Sequence, residues 1–286
     1  MASVVAAQLP ARPPPMVGIT MGAWHMNTAL LGPPIAASPG EYPPGRALRK
    51  VQPGHTGDME HLPPTLPSTW PFQGRPLAGL ERRGPLELPG FGPGWILEAV
   101  SEGPWDEPLC PLEGAFGRGG VVRWGDRVVR PYRRGGLLRR LVHRTYLGPG
   151  RFRRELRVHR ALWGAGFPTV EPLGCAWRSS GLGVEGLLIT RWASVTPWPR
   201  CWDAPGVLPQ LHAAIRALAA WGLWAPDLNA TNVLVDAQGQ VCLLDWDRAA
   251  WGRDTDLVGR YRGRLLRSLS RLGAGAAIRR SVEDWA

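Results

Sequence analysis

The sequence predicts an α+β protein that folds in two lobes. Alternating apolar and polar residues, typical of β-hairpins, occur in two separate stretches, and two amphipathic helix patterns lie between these stretches. The pattern contains no long series of alternating parallel strands and helices. We therefore expect one domain over residues 106–286, with a small lobe at 106–191 that holds a sheet and one helix, and a shortened helical lobe at 192–286.

The small lobe is predicted to begin with a β-hairpin. The segment VVRWGDRVVRPY, residues 121–132, alternates apolar and polar residues around a Gly-Asp turn. Residues 151–163 place apolar side chains on one helical face and arginines on the other, which indicates an amphipathic helix. Two apolar runs, at 170–177 and 184–190, flank a Gly-containing turn and predict two strands.

The second lobe is predicted from a helix, a polar loop and a hairpin. Residues 207–221 show apolar side chains at helical spacing. Two short apolar runs, at 233–235 and 240–245, flank a turn that contains Gly239 and predict a second hairpin. The polar loop before this hairpin should lie at the end of a rigid core, where exposed polar groups commonly serve function.

Residues 1–105 differ from the rest of the chain in composition. They hold 19 of the 30 prolines and show no sustained helical or strand periodicity. Proline pairs such as Pro33-Pro34 and Pro63-Pro64 oppose both helices and sheet ladders. The sequence therefore predicts a Pro/Gly-rich extension that is disordered.

The remaining composition excludes several classes of protein. The four cysteines are spaced too widely for a zinc knuckle or a Cys-x-x-Cys redox pair, and a reducing cytosol is the simplest compartment. The sequence predicts neither a membrane-spanning helix nor a secretory signal. The formal net charge of +11 falls in residues 106–286, because residues 1–105 carry seven basic and seven acidic side chains. This charge favours an anionic partner.

Three polar residues of the second lobe have the spacing that phosphoryl transfer uses. Asp227 and Asn232 lie in the polar loop, and Asp245 ends the second strand of the hairpin that follows. Phosphoryl transfer needs a carboxylate that orients the attacking hydroxyl, and oxygen ligands that hold Mg²⁺ against the nucleotide phosphates. Protein kinases supply these groups from a D-x-x-x-x-N sequence and an aspartate on the next hairpin. The alternative is that these residues only cap turns.

The segment around these residues resembles a known family. APDLNATNVLVDAQGQVCLLDWDR, residues 225–248, is similar to the H-A-D-L-N-A-H-N-I-L-L-D…D-F-D-R segment of 3-deoxy-D-manno-octulosonic acid (Kdo) kinases in the lipopolysaccharide kinase family. The resemblance covers about residues 113–270. It implies a protein-kinase-like fold and ATP-dependent phosphorylation of a Kdo hydroxyl on a lipid A core precursor, at the cytoplasmic face of the inner membrane. Further segments resemble pieces of that family in the same order: 130–141, 146–147, 152–156, 166–174 and 187–191.

The resemblance also implies roles for individual residues. Asp227 would be the catalytic base, and Asn232 and Asp245 would bind Mg²⁺. Glu155 would be the acidic partner on the first helix, although an ion pair with a neighbouring surface arginine is the alternative. No lysine follows residue 50, so Arg130 is the candidate that pairs with this glutamate and contacts the ATP phosphates.

Some positions depart from the family pattern. The family places a histidine two residues before the catalytic aspartate, and this chain has Ala225 there. Trp246 replaces the phenylalanine of the family, an exchange between hydrophobic residues. The Gly-rich segment EGAFGRGG, residues 113–120, is not the G-x-G-x-x-G of protein kinases. Gly117 and Gly119 either cradle the ATP phosphates or form a flexible turn.

Arginines are concentrated between the Gly-rich segment and the end of the first helix. Because lipid A carries phosphates and Kdo carries a carboxylate, these arginines are candidates for docking the anionic glycolipid and contacting the inner membrane peripherally. A solvated charged face is the alternative. No aromatic ladder is interleaved with them, so no nucleic acid is expected as a partner. The candidates are Arg133, Arg134, Arg139 and Arg140.

The sequence thus predicts an Mg-ATP-dependent kinase that acts on Kdo. Two other functions remain open at this point. One is a small-molecule phosphotransferase of the aminoglycoside or choline type, which uses the same set of Asp, Asn and Asp residues. The other is a non-catalytic pseudokinase that binds anionic lipid.

Overall fold

The computed structural model describes most of the chain beyond residue 62. All of the described residues belong to one compact unit, 57–286. They are 63–88, 91–99, 108–112, 120–133, 145–252 and 254–285.

Along the described chain, groups of strands are separated by single helices, and two helices come last. The strands are β1 Leu80–Leu88, β2 Gly92–Ala99, β3 Leu109–Pro111, β4 Val122–Trp124, β5 Arg127–Pro131, β6 Pro172–Ser180, β7 Gly183–Arg191, β8 Val195–Pro197, β9 Leu223–Trp224, β10 Val233–Asp236, β11 Val241–Leu243 and β12 Ala250–Trp251. The helices are α1 Gly150–Gly164, α2 Val207–Ala220, α3 Leu257–Arg271 and α4 Ala276–Glu283.

The small lobe is a seven-stranded antiparallel sheet with one helix on it. The strand order is β1-β2-β6-β7-β5-β4-β3, and α1 packs against β6 and β7. Gly186 permits this close packing, because a Cβ at that position would lie 2.4 Å from the Phe152 ring of α1. The helix is therefore fixed against the middle of the sheet.

The second lobe consists of α2, α3 and α4 around two short sheets. One sheet has the order β11-β10-β8 and the other pairs β12 with β9. Apolar residues of α2, including Leu211 and Ile215, share a core with Tyr261 of α3. Val158 and Leu162 from the second half of α1 join this same core, so α1 is buried in both lobes.

The two-lobed α+β architecture that the sequence predicts is confirmed. The predicted hairpins are β4–β5 and β10–β11, the apolar runs between the predicted helices are β6 and β7, and the predicted helices are α1 and α2. The chain leaves the small-lobe sheet after Arg191, the last residue of β7. No helix in the described ranges combines the length and the apolar character needed to cross a membrane.

The prediction of a disordered extension over residues 1–105 is wrong for residues 63–88 and 91–99. β1 and β2 form one side of the small-lobe sheet, with β2 paired to β6. Proline is tolerated because β1 is an edge strand whose register shifts between Arg83 and Leu86, so Pro85 falls where the ladder is already interrupted. Gly84 at the same irregularity has a φ of 127°, which favours glycine. Residues 1–62 lie outside the described part of the chain.

Trp70 anchors the segment before β1 to both lobes. Its indole N–H donates to Ala165 O at 2.6 Å, directly after α1. The Trp70 ring packs edge-on against Trp221 at a centroid distance of 5.1 Å, next to the end of α2. Arg75 N donates to Gly164 O at 2.8 Å. This segment thus holds the ends of α1 and α2 together.

We predict that Trp70→Ala lowers the free energy of unfolding by about 2–4 kcal/mol, somewhat less than for a fully buried aromatic side chain, because Trp70 is only partly buried. The exposed Leu182 provides the control, and Leu182→Ala should change stability by no more than about 0.5 kcal/mol. Urea unfolding of both variants is the measurement. Equal stability of the two variants would show that residues 63–79 contribute no packing to the fold.

Candidate active site

The polar loop that begins at Asp227 is held by helix α3. The backbone N–H of Ala225 donates to the Tyr261 hydroxyl at 2.8 Å, and that hydroxyl donates to Leu223 O at 2.8 Å. Further along, Ala230 N donates to Ser268 Oγ at 3.1 Å. Tyr261 is fully buried. The loop is therefore fixed from α3 although Ala225 stands where the family pattern has a histidine.

Three of the candidate residues converge on one point. The Asn232 side-chain amide donates to the backbone O of Asp227 at 2.8 Å and lies 3.4 Å from Asp245 Oδ2. Asp245 has a φ of 74°, and it is the non-glycine residue with positive φ among those described. Such backbone strain persists where the surrounding structure enforces it, and it occurs often at functional sites. The spacing noted in the sequence thus corresponds to real proximity.

Arg130 connects these residues to the small lobe. From strand β5, its Nη2 lies 2.5 Å from Glu155 Oε1 on α1, and its Nη1 lies 3.3 Å from Asp245 Oδ1. Glu155 is completely buried, whereas 34% of the Arg130 side chain is exposed. The alternative of a surface ion pair for Glu155 is therefore wrong.

Burial and charge set the ionisation of this pair. Burial raises the pKa of Glu155 to about 7, although the Arg130 charge acts in the opposite direction. Burial lowers the pKa of Arg130, but the carboxylates of Glu155 and Asp245 outweigh this effect and raise the pKa above its ordinary value. Arg130 is therefore a permanent cation, and the pKa of its buried partner Glu155 lies above the ordinary value of a carboxyl group.

Sequence analysis missed further ion pairs at this site, among them those of Arg248 and Arg151. Arg248 makes two hydrogen bonds to Asp227, with Nε 2.7 Å from Oδ2 and Nη2 2.7 Å from Oδ1. Arg151, at the start of α1, makes two hydrogen bonds to Asp247, one of them 2.7 Å from Nε to Oδ1. The charged Asp-Trp-Asp-Arg run at 245–248 was the feature of the sequence that could have indicated these ion pairs.

These pairs affect the charge of the loop carboxylate. The hydrogen bonds from Arg248 hold the pKa of Asp227 below its usual value, against an opposing effect of partial burial. Asp227 is consequently ionised at neutral pH.

A buried polar network accounts for the tryptophan at position 246. The Trp246 indole N–H donates to Thr169 Oγ1 at 3.1 Å, and that hydroxyl donates to Leu243 O at 2.8 Å. His159 Nε2 on α1 lies 2.9 Å from Val170 O, which can only accept, so Nε2 carries the proton. Burial lowers the pKa of His159 to about 3, so the ring is neutral. The indole thus adds a hydrogen bond that phenylalanine cannot make.

The donor atoms near Asp245 suit a hard divalent cation. The carboxylate of Asp245 and the amide oxygen of Asn232 are oxygen ligands of the kind that Mg²⁺ prefers. Within the described ranges, no group of three or more His, Cys, Asp or Glu side chains is arranged to enclose a metal. Mg²⁺ commonly binds through one or two protein ligands together with substrate phosphates and water, so the residues present fit a cation that is shared with a nucleotide.

Several predicted site residues are not part of this arrangement. Arg133 lines a cleft of about 150 Å³ with Val129 and Gly120, on a wall that includes neither Asp227 nor Asp245. The glycines that were predicted to contact the ATP phosphates and the other arginines that were predicted to contact the acceptor lie outside the described part of the chain. They are Gly117, Gly119, Arg134, Arg139 and Arg140.

A protein-family model matches the part of the chain that contains this site. The model of the lipopolysaccharide kinase (Kdo/WaaP) family matches residues 105–286. This range contains all of the residues described above as converging on Asp245.

Curated relatives extend the similarity along most of the chain. A protein of Xylella fastidiosa (strain M12), named 3-deoxy-D-manno-octulosonic acid kinase, is 31% identical over 231 residues, which cover 74% of this chain and 87% of the relative. A protein of Xanthomonas axonopodis pv. citri (strain 306) with the same name is 32% identical over 199 residues, which cover 63% of this chain and 76% of the relative.

Among solved structures, crystal structures of WbdD show partial similarity. One of them has a TM-score of 0.38 and 18% sequence identity, and the similarity covers 53% of this chain and 34% of WbdD.

We predict that Tyr261→Phe lowers the free energy of unfolding by about 1–3 kcal/mol, because it leaves the buried Ala225 N–H without its acceptor. The Ala225 amide should also exchange its hydrogen faster. Ser281→Ala is the control, since it removes an exposed hydroxyl that donates to Ala277 O. Urea unfolding and hydrogen exchange are the measurements; equal effects of the two variants would contradict a role of Tyr261 in holding the loop.

Proposed function

Since the chain belongs to the lipopolysaccharide kinase (Kdo/WaaP) family, we propose that it is a kinase that transfers the γ-phosphoryl group of ATP to a hydroxyl of Kdo. The observation that carries this proposal is the contact of Arg130 with both Glu155 and Asp245. It places a cation beside the candidate metal ligand Asp245 and ties that cation to the buried Glu155 of α1. Protein kinases use a similar ion pair between a strand cation and a helix glutamate to position the nucleotide phosphates.

We assign the transfer step to groups of the second lobe. Asp227 orients the acceptor hydroxyl and accepts its proton while the hydroxyl oxygen bonds to the γ-phosphorus and the bond to the bridging oxygen of ADP breaks. Asp245 and Asn232 would hold Mg²⁺. Bound Mg²⁺ supplies neutralisation of the charge on the phosphates.

We assign the positioning of ATP to the small lobe. Arg130 is held by the buried Glu155, so its guanidinium is oriented before the nucleotide arrives. A guanidinium binds phosphate oxygens through two parallel hydrogen bonds and cannot lose its charge, although its shape differs from that of lysine. Gly117 and Gly119 are proposed to contact the phosphates from the Gly-rich segment.

We further propose that the acceptor is Kdo on a lipid A precursor, reached by peripheral contact with the cytoplasmic face of the inner membrane. The excess of basic residues in 106–286 supports this proposal, because anionic lipids attract such a surface. Arg133, Arg134, Arg139 and Arg140 are the candidates for this contact.

The loop geometry favours an active enzyme over a non-catalytic binding protein. A protein whose site had decayed at Ala225 has no need to hold the loop, yet Tyr261 and Ser268 both bond to its backbone. Asn232 also contacts both Asp227 and Asp245, which supports the roles proposed for these three residues.

We predict that Asp227→Asn and Asp245→Asn each reduce phosphoryl transfer at least ~10²-fold, the lower end for loss of a positioned acid-base group. Each substitution keeps the side-chain size, so the fold should remain. Asp203→Asn, at an exposed position outside the site, is the matched control and should retain full activity. The assay measures transfer of labelled phosphate from ATP to Kdo-lipid A by the full chain. Near wild-type turnover of either site variant would refute the role given to that aspartate.

A further inference from the structure

The loop carboxylate is surrounded by more positive charge than it can neutralise. Asp227 contacts two guanidinium groups, Arg248 at 2.7 Å and Arg264 at 3.5 Å, whereas Asp247 contacts one. Two cations thus share one anion at the position where the acceptor hydroxyl must bind.

Both arginines retain capacity to bind a further anion. The Arg248 side chain is 58% exposed, and its contacts with Asp227 use two of its five N–H groups. Arg264 Nε is buried and has no hydrogen-bond partner among the described residues. Because guanidinium groups bind carboxylates and phosphates through paired hydrogen bonds, this site suits an anionic group on the acceptor.

The pairing of Arg248 with Asp227 also occupies the proposed proton acceptor. Both carboxylate oxygens of Asp227 accept hydrogen bonds from the same guanidinium. An anion bound to the remaining N–H groups of Arg248 would compete with Asp227 for the guanidinium and weaken these two hydrogen bonds, which would leave the Asp227 oxygens to the hydroxyl. Binding of the acceptor would then itself free the Asp227 carboxylate to accept the proton of the hydroxyl.

We propose that Arg248, assisted by Arg264, recognises a carboxylate of the acceptor that lies next to the reacting hydroxyl. This inference rests on the proposed function, because Kdo is the acceptor that carries such a carboxylate. Arg248 is thus a specificity-determining residue of the acceptor site. It distinguishes an acidic sugar from a neutral one, and it takes the carboxylate of the sugar rather than a phosphate of lipid A.

The test compares three acceptors: Kdo-lipid A, the same glycolipid with the Kdo carboxyl converted to an amide, and Kdo-lipid A without its phosphates. For the wild type we expect kcat/KM to fall at least about tenfold with the amide, in line with the loss of charge-assisted hydrogen bonds. Arg248→Gln should lose a similar factor with Kdo-lipid A and show no further loss with the amide. Removal of the phosphates should affect both proteins equally.

Arg260→Gln is the matched control, because Arg260 lies on α3 with Arg264 but pairs with Asp254. It should keep the wild-type preference for the carboxylate, and melting temperatures verify that all variants fold. Equal losses with the amide in wild type and Arg248→Gln would overturn the inference while leaving the kinase function intact. A loss of kcat/KM that depends on Arg248 and appears on removal of the lipid A phosphates, rather than with the amide, would also overturn the inference. Absence of transfer to every Kdo acceptor by the wild type would instead refute the proposed function.

Equilibrium binding of the acceptors without ATP further distinguishes a failure of this inference from a failure of the proposed function. We expect Kdo-lipid A to bind the wild type at least about tenfold more tightly than the amide does, and Arg248→Gln to bind both alike. Equal binding of the two acceptors by the wild type would overturn the inference, whatever the turnover assay shows.

Discussion

The geometry of the site depends on the contacts that the Arg130 guanidinium makes with Glu155 and Asp245. This guanidinium joins strand β5, helix α1 and the aspartate that follows β11, and so it links the two lobes at the point where the candidate groups meet. Glu155 is fully buried, and a buried charge is costly unless it is paired. The pairing with Arg130 therefore determines whether α1 can keep its carboxylate in this position at all.

The rest of the site is built by fixing backbone segments around this contact. Asp245 keeps a positive φ while the next residue, Trp246, is anchored through Thr169, which also lies within 3.0 Å of His159 on α1. On the other side, Tyr261 holds the start of the loop that carries Asp227. Two rigid supports, α1 and α3, thus orient the two aspartates independently.

Sequence patterns predicted the parts of the fold and of the site that depend on residues close together in the chain. The helices and hairpins follow from periodicity, and Arg130 follows from the absence of lysine beyond residue 50. The contacts of Asp227 with Arg248 and of Trp246 with Thr169 join residues 21 and 77 positions apart, so no local pattern indicates them. β1 and β2 were missed because the proline pairs and the lack of sustained periodicity over residues 1–105 suggested disorder, whereas β1 accommodates Pro85 at a register shift.

Binding of Mg-ATP to single and double variants of the ion pair tests the central role of Arg130 most directly. The measurement is the Kd of Mg-ATP for the wild type, Arg130→Gln, Glu155→Gln and the double variant. If Glu155 acts by orienting Arg130, each single substitution should weaken binding about tenfold and the double variant should bind no more weakly than Arg130→Gln, because the two residues act as one unit. Additive losses, or unchanged binding in Arg130→Gln, would contradict the account.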